Sequence, residues 1–284
     1  MKLNKKTAEI FIPDQKPLDE AIKRTTHMAI AAHQDDIEIM AYDGILKCFG
    51  QEDAWFFGVV ATDGSGSARD GIYAKYTNEE MMATRKVEQK KAAYVGEYGA
   101  CAMLDYTSKE MKNPNEQAIV DEMAMLILQA KPEVLYTHNL ADKHDTHIGV
   151  ATKVIKAIRQ LDPKDRPKTL LGCEVWRDLD WMVDEEKVEL NVSGHPNIAA
   201  ALVEVFDSQI IGGKRYDLAT AGRRWSNATY ATSHKIDKAT AISYAMDLTP
   251  LIQDDHLDIV TYITDYIKRF EHDVHERISK MIIK

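Results

Sequence analysis

Five short apolar runs punctuate the chain before residue 176: His27–Ala32, Ala54–Ala61, Ala100–Leu104, Glu133–Thr137 and Leu170–Val175. Each is too continuous for a strand with one wet face. The pattern predicts strands buried on both faces, as in parallel sheets. Helical periodicity fills most of the gaps. Asn78-Glu79-Glu80 predicts an N-cap with an acidic first turn, opening a helix that runs to about Gly96 or Gly99. Asn113-Pro114 predicts a second start, with proline at the first helical position. Ile119, Met123, Leu126, Ile127 and Ala130 then follow helical spacing until Lys131-Pro132 ends the helix. Val150, Val154, Ile155 and Ile158 mark a further amphipathic helix.

Strands alternating with helices predict an α/β fold with a Rossmann-like, mostly parallel sheet flanked by helices. The expected organisation is a single domain over 1–284, with its core at about 20–176 and a less regular, pocket-shaping extension at about 177–284. Near the C-terminus, Val260, Ile263, Ile267, Phe270 and Val274 form one apolar stripe. That helix is expected to dock on the body, with a homo-oligomer contact as the alternative.

Composition narrows the function classes. The net charge of -9 offers no basic face for displacing counterions from phosphates, so no nucleic-acid partner is expected. No run of eighteen apolar residues occurs, and the N-terminal MKLNKKTAEIFIPDQKP lacks an apolar signal segment. No membrane span is expected, and the expected location is cytoplasmic. Cys48, Cys101 and Cys173 are scattered and odd in number, which suits buried thiols rather than disulfides or a cysteine-rich metal site.

The chemistry-bearing residues follow two strand ends, where open α/β sheets bind ligands. After the first strand comes His33-Gln34-Asp35-Asp36-Ile37-Glu38. Adjacent carboxylates in a loop can diverge, so that one binds a metal while its neighbour faces the water beside it. A helix cap is the competing reading of the acids, but a cap does not need His33. After the fourth strand comes Asn139-Leu140-Ala141-Asp142-Lys143-His144-Asp145-Thr146-His147. Zinc sites commonly combine imidazole nitrogens with a carboxylate oxygen, and catalytic ones leave a position for water. His33, Asp36 and His147 supply such a set. Asp142 is placed to orient an imidazole from behind. His144 is left to donate to a carbonyl oxygen as negative charge develops. His138 reads as a strand-end histidine without a role.

Together these segments resemble the PIG-L/LmbE family of zinc-dependent N-acetylglucosaminyl deacetylases. The family's first motif is His-Pro-Asp-Asp-x-Glu and its second Asp-x-His-x-Asp-His. Here they read His33-Gln34-Asp35-Asp36-Ile37-Glu38 and Asp142-Lys143-His144-Asp145-Thr146-His147. The resemblance covers roughly the first 160 residues and continues weakly through Phe206-Asp207-Ser208-Gln209. It implies Zn2+ held by His33, Asp36 and His147, Asp35 as general base, and His144 as the residue that stabilises the oxyanion. Arg85-Lys86-Val87-Glu88 resembles the family's Arg-x-x-Glu, which puts Arg85 in the substrate pocket; an exposed i,i+3 ion pair is the alternative.

Two departures stand out. Gln34 replaces proline, which is expected only to loosen the turn. Thr146 replaces the acid beside the last histidine, which leaves two alternatives: compensation by Asp145 or Asp142, or a shifted pKa of His144. Thr62-Asp63-Gly64-Ser65-Gly66-Ser67-Ala68-Arg69-Asp70-Gly71 lacks the spacing of a dinucleotide fingerprint and is expected to form a loop at the pocket mouth. The function expected on this resemblance is hydrolysis of an N-acyl group, usually acetyl, from an amino-sugar conjugate. Tyr73, Tyr76, Trp176, Trp181 and Trp225 are aromatic candidates for stacking on a sugar. The alternatives are an amidase of a thiol conjugate, a metal- or sugar-binding protein impaired at Thr146, and an NAD-dependent enzyme on the same sheet.

Overall fold

A computed structural model describes residues 1–282. Eight strands form one sheet: β1 (Glu9–Phe11), β2 (Thr25–Ala31), β3 (Trp55–Thr62), β4 (Ala100–Tyr106), β5 (Val134–His138), β6 (Thr169–Cys173), β7 (Lys187–Asn191) and β8 (Ile242–Asp247). Their spatial order is β1-β4-β3-β2-β5-β6-β8-β7. The five strands from β4 to β6 pair in parallel. These are the five that the apolar runs predict. Helices cover both faces, and two apolar clusters form the core, one on each side of the sheet.

The remaining strands lie outside the five that the apolar runs predict. β7 and β8 add antiparallel strands beyond β6, and β1 adds one beyond β4. The N-terminus and the region after residue 176 therefore complete the same sheet. The two edge strands, β1 and β7, are hard to read in sequence because they are short and half wet. β7 reads Lys-Val-Glu-Leu-Asn, alternating rather than continuous.

Helix boundaries moved slightly. The helix Asn78–Val95 is capped by Thr77, one residue before the expected cap, in a capping box with Glu80. Asn113-Pro114 does not open a helix: a short helix, Ser108–Lys112, precedes it, and the long one runs Gln117–Ala130. Lys131 ends that helix with φ of 48°. All three cysteines are buried and free. The last helix, Ile259–Ile282, docks by Ile263 and Tyr266, while Val260, Ile267 and Val274 stay exposed. Among the described residues, no helix is long and apolar enough to cross a membrane.

One close approach fixes the helix that carries His147. The helix Asp145–Arg159 packs on Ser108–Lys112, and a Cβ at Gly149 would stand 2.6 Å from the Met111 carbonyl oxygen. Buried Lys153 clamps the same place, donating to the carbonyls of Met111 and Asn113 at 2.8 Å each. Gly149→Ala is therefore expected to destabilise the protein by about 1–3 kcal/mol through overpacking. The helix-propensity gain of up to about 1 kcal/mol works against this. Thermal unfolding reads the sum, and a raised Tm would mean that the backbone yields without strain.

Candidate active site

The strand order changes direction between β2 and β5. From β2 the chain winds outward through β3 to β4, then returns so that β5 lies on the other side of β2. Such a switch point leaves a crevice at the carboxyl ends of the two strands. The loop after β2 carries His33–Asp36, and the loop after β5 carries Asp142–His147. Two segments more than a hundred residues apart thus face each other across one crevice.

Asp35 sits at φ 87°, an uncommon conformation for a residue with a side chain. It occupies the N-cap position of the helix Asp36–Met40 but makes no side-chain capping bond. The turn sends the two carboxylates apart. Asp35 Oδ2 accepts from Arg85 Nη2 at 2.8 Å. Asp36 Oδ2 lies 3.1 Å from His33 Nδ1 and 3.3 Å from His147 Nε2. His33 Nδ1 and His147 Nε2 are themselves 3.3 Å apart.

These three atoms fit a divalent cation. Tetrahedral ligands at bonds of about 2.0–2.1 Å stand about 3.3 Å from one another. Electrostatics agree that the place calls for positive charge. Burial works to raise the Asp36 pKa, yet the imidazoles of His147 and His138 hold it well below the usual carboxylate range. Burial opposes charge on His147, but Asp36 and Asp142 carry its pKa up to about 9. Behind the triad, His147 Nδ1 meets Asp142 Oδ2 at 3.3 Å. That carboxylate also accepts from the Trp176 amide at 3.1 Å.

A second group of potential ligands, His138, Asp142 and His147, shares His147 with the first. His138 is fully buried, and its Nε2 accepts the Ala32 amide hydrogen at 2.8 Å. It stacks on His147 with ring centroids 3.8 Å apart. That bond fixes His138 behind the crevice, so the first group is the better cation site.

Asp35 has a different environment. Burial pushes its pKa up to about 6, and the Arg85 guanidinium only partly offsets this. Arg85 is itself 1% exposed, which removes the reading as an exposed ion pair. Its Nη1 donates to Glu88 at 3.2 Å, and its Nη2 donates to the Gln34 carbonyl as well as to Asp35. Glu88 in turn accepts from both the amide and the hydroxyl of Ser208, each at 2.7 Å. The weak Phe206–Gln209 likeness therefore lands on the network behind Asp35. Gln34 also does more than loosen the turn: it is fully buried and donates to the Thr62 carbonyl at 3.0 Å.

A cleft of about 550 Å³ opens over these groups. Asp35, Asp36, His33, Arg85 and His144 line it, with Gly64–Ala68 at one rim as the expected loop. His144 Nδ1 has no hydrogen-bond partner. Burial, with His147 and His33 nearby, brings the His144 pKa down to about 4. Thr146 is buried in the cleft wall, and Asp145 is exposed. Asp142 backs His147, so no acid takes up His144 Nδ1. Of the aromatic candidates only Trp176 lines this cleft; Tyr73 instead donates to Asp207 at 2.6 Å. Tyr216 and Lys214 join the wall from the C-terminal region, where no motif marks them.

Residues 28–158 match the family model described as PIG-L, GlcNAc-PI de-N-acetylase. No curated protein matches the chain in sequence. Several solved structures share its fold. A conserved protein from Thermus thermophilus is 15% identical, with 82% of this chain and 98% of that one covered, at a TM-score of 0.60. N,N'-diacetylchitobiose deacetylase from Pyrococcus horikoshii, complexed with an inhibitor, is 13% identical, covering 88% and 93%, at 0.64. GalB, the 4-carboxy-2-hydroxymuconate hydratase from Pseudomonas putida, is 16% identical, covering 79% and 95%, at 0.59. A deacetylase and a hydratase on one fold leave the reaction to the site residues. The matched segment contains both motif-bearing strand ends, so over residues 28–158 this chain is similar to the PIG-L family, and it shares the fold of solved deacetylases.

Proposed function

We propose that the protein is a zinc-dependent N-deacetylase of an amino-sugar conjugate. The observation that carries the reading is the triad His33 Nδ1, Asp36 Oδ2 and His147 Nε2 at mutual distances of 3.1–3.3 Å, with a second carboxylate, Asp35, beside it. Two imidazoles with one carboxylate suit zinc among the divalent metals. Bound there, the cation supplies Lewis acidity towards water and the acyl carbonyl.

The chain's own groups then divide the work. Asp35 takes a proton from the attacking water as the C–O bond forms, and returns it to the nitrogen as the C–N bond breaks. A carboxyl pKa raised towards neutrality suits both transfers. His144, neutral at pH 7, donates a hydrogen bond to the carbonyl oxygen as charge builds there. Asp142 holds the His147 ring in one orientation. Arg85 positions Asp35 and forms cleft wall. The products are a carboxylate and a free amine.

The test is acetate release from N-acetylglucosamine conjugates by zinc-reconstituted protein, beside protein stripped with a chelator. Turnover that disappears on stripping and returns with zinc is expected. A second reading rests on His144 Nδ1, which lacks the acid partner that the family motif supplies. On that reading the protein binds metal and sugar with little turnover. One zinc per chain and sugar binding without acetate release would favour it.

A further inference from the structure

Behind the metal triad lies a second cavity, of about 240 Å³. It shares Asp36, Trp176 and Tyr216 with the wall of the cleft, so the two are neighbours. Its wall carries two adjacent arginines, Arg223 and Arg224, from the helix Tyr216–Tyr230. Among the described residues neither forms an ion pair. Arg223 Nη1 donates to the Val175 carbonyl, and Arg224 Nη2 to the carbonyls of Glu38 and Ile39 at 2.8 and 3.1 Å. Arg224 is 6% exposed, and its Nε is buried with no partner at all. A buried guanidinium without a counter-anion is costly unless an anion arrives to meet it.

The carboxylates in the same walls are committed elsewhere. Glu174 accepts from the amides of Leu179 and Tyr244 and from Asn227. Asp36 faces the imidazoles, and Asp35 is held by Arg85. Lys214 and Lys112 add two further cations to the rim of the main cleft, again without ion pairs among the described residues. In a chain of net charge -9, these cations bring positive charge to the walls of the two cavities, where burial raises the Glu174 pKa and nearby Arg223 works to lower it.

We infer that the cavity seats an anionic group of the substrate, a carboxylate or a phosphate, against Arg223 and Arg224 while the N-acyl group lies at the triad. This rests on the deacetylase reading for the reaction, but the anion site itself can be tested apart from it. The competing account is that Arg224 merely caps the carbonyls of Glu38 and Ile39.

The experiment has a binding arm and a rate arm. Calorimetry compares glucosamine, glucosamine 6-phosphate and muramic acid on the metal-replete protein. Acetate release compares N-acetylglucosamine with N-acetylglucosamine 6-phosphate and N-acetylmuramic acid. Charge-assisted bonds to two guanidiniums are expected to favour at least one anionic ligand by about 10- to 100-fold. The better of the two identifies the anion as phosphate or carboxylate. Arg223→Gln, at a partly exposed position, is expected to bring that preference down about tenfold, and Arg224→Gln at least as far if it folds. Equal affinity for the neutral and anionic amines, or an unchanged preference in Arg223→Gln, would overturn the inference. Absence of acetate release with an intact binding preference would instead count against the deacetylase reading alone.

Discussion

Asp35→Asn is expected to lower kcat by about 10²- to 10⁴-fold, the range typical of a lost general base. The amide keeps an oxygen for Arg85 Nη2, which now donates to the carboxylate at 2.8 Å, so the turn should hold. Asp35 is not in the triad, so zinc content should stay at one per chain. Elemental analysis and steady-state rates on the same preparation check both halves. Loss of metal together with activity would make Asp35 a ligand or a support of the ligands. A rate within about threefold of the parent would remove it from proton transfer. On the proposed mechanism Asp35 acts as a base only when deprotonated. The rate should therefore fall as pH drops through about 6, the value to which burial pushes Asp35. A bound cation moves that limb lower, never higher.

Arg85→Met should have the largest effect on stability. Arg85 is buried against Asp35 and Glu88, both themselves buried. Removing the guanidinium strands two carboxylates in a low-dielectric interior, which costs about 3–5 kcal/mol. At roughly 2–4 °C per kcal/mol for a chain of this size class, Tm should fall by about 10 °C. The sign of the pH dependence is a sharper check. Burial already raises the folded-state pKa of Asp35, and losing Arg85 raises it further. A carboxylate with a raised folded pKa favours the folded state at low pH and penalises it as pH rises through that value. The variant's deficit should therefore be smaller at pH 5 than at pH 8. A deficit that is flat with pH would point to lost packing rather than stranded charge. Arg85→Lys keeps the charge but not the planar fork that reaches Asp35 and Glu88 together, and should recover only part of the loss.

Much of this protein was legible before any coordinates. The five parallel strands announce themselves because a strand buried on both faces has no polar positions to interrupt it. The candidate set stood out for a related reason. His33, Asp35, Asp36, His144 and His147 are polar groups placed at strand ends, where neither packing nor capping calls for imidazoles. Local sequence determined which residues are present and which short turns carry them.

Adjacency was decided elsewhere. Nothing in the sequence says that β5 returns to the side of β2, and without that switch His33 Nδ1 and His147 Nε2 would not lie 3.3 Å apart. Register across a sheet comes from packing of the whole core, so it is a property of the assembled chain. The same holds for Arg85, whose Arg-x-x-Glu spacing suits a surface ion pair equally well. Only burial against Glu88 and Asp35 makes it an interior strut. Arg223 and Arg224 read as a small basic cluster on a helix. The fold sets both in the wall of a cavity and leaves Arg224 Nε buried without a partner. Composition and spacing thus determined the chemical inventory, while the burial and long-range contacts that set pKa values, ligand distances and charge matching arose only when distant segments met.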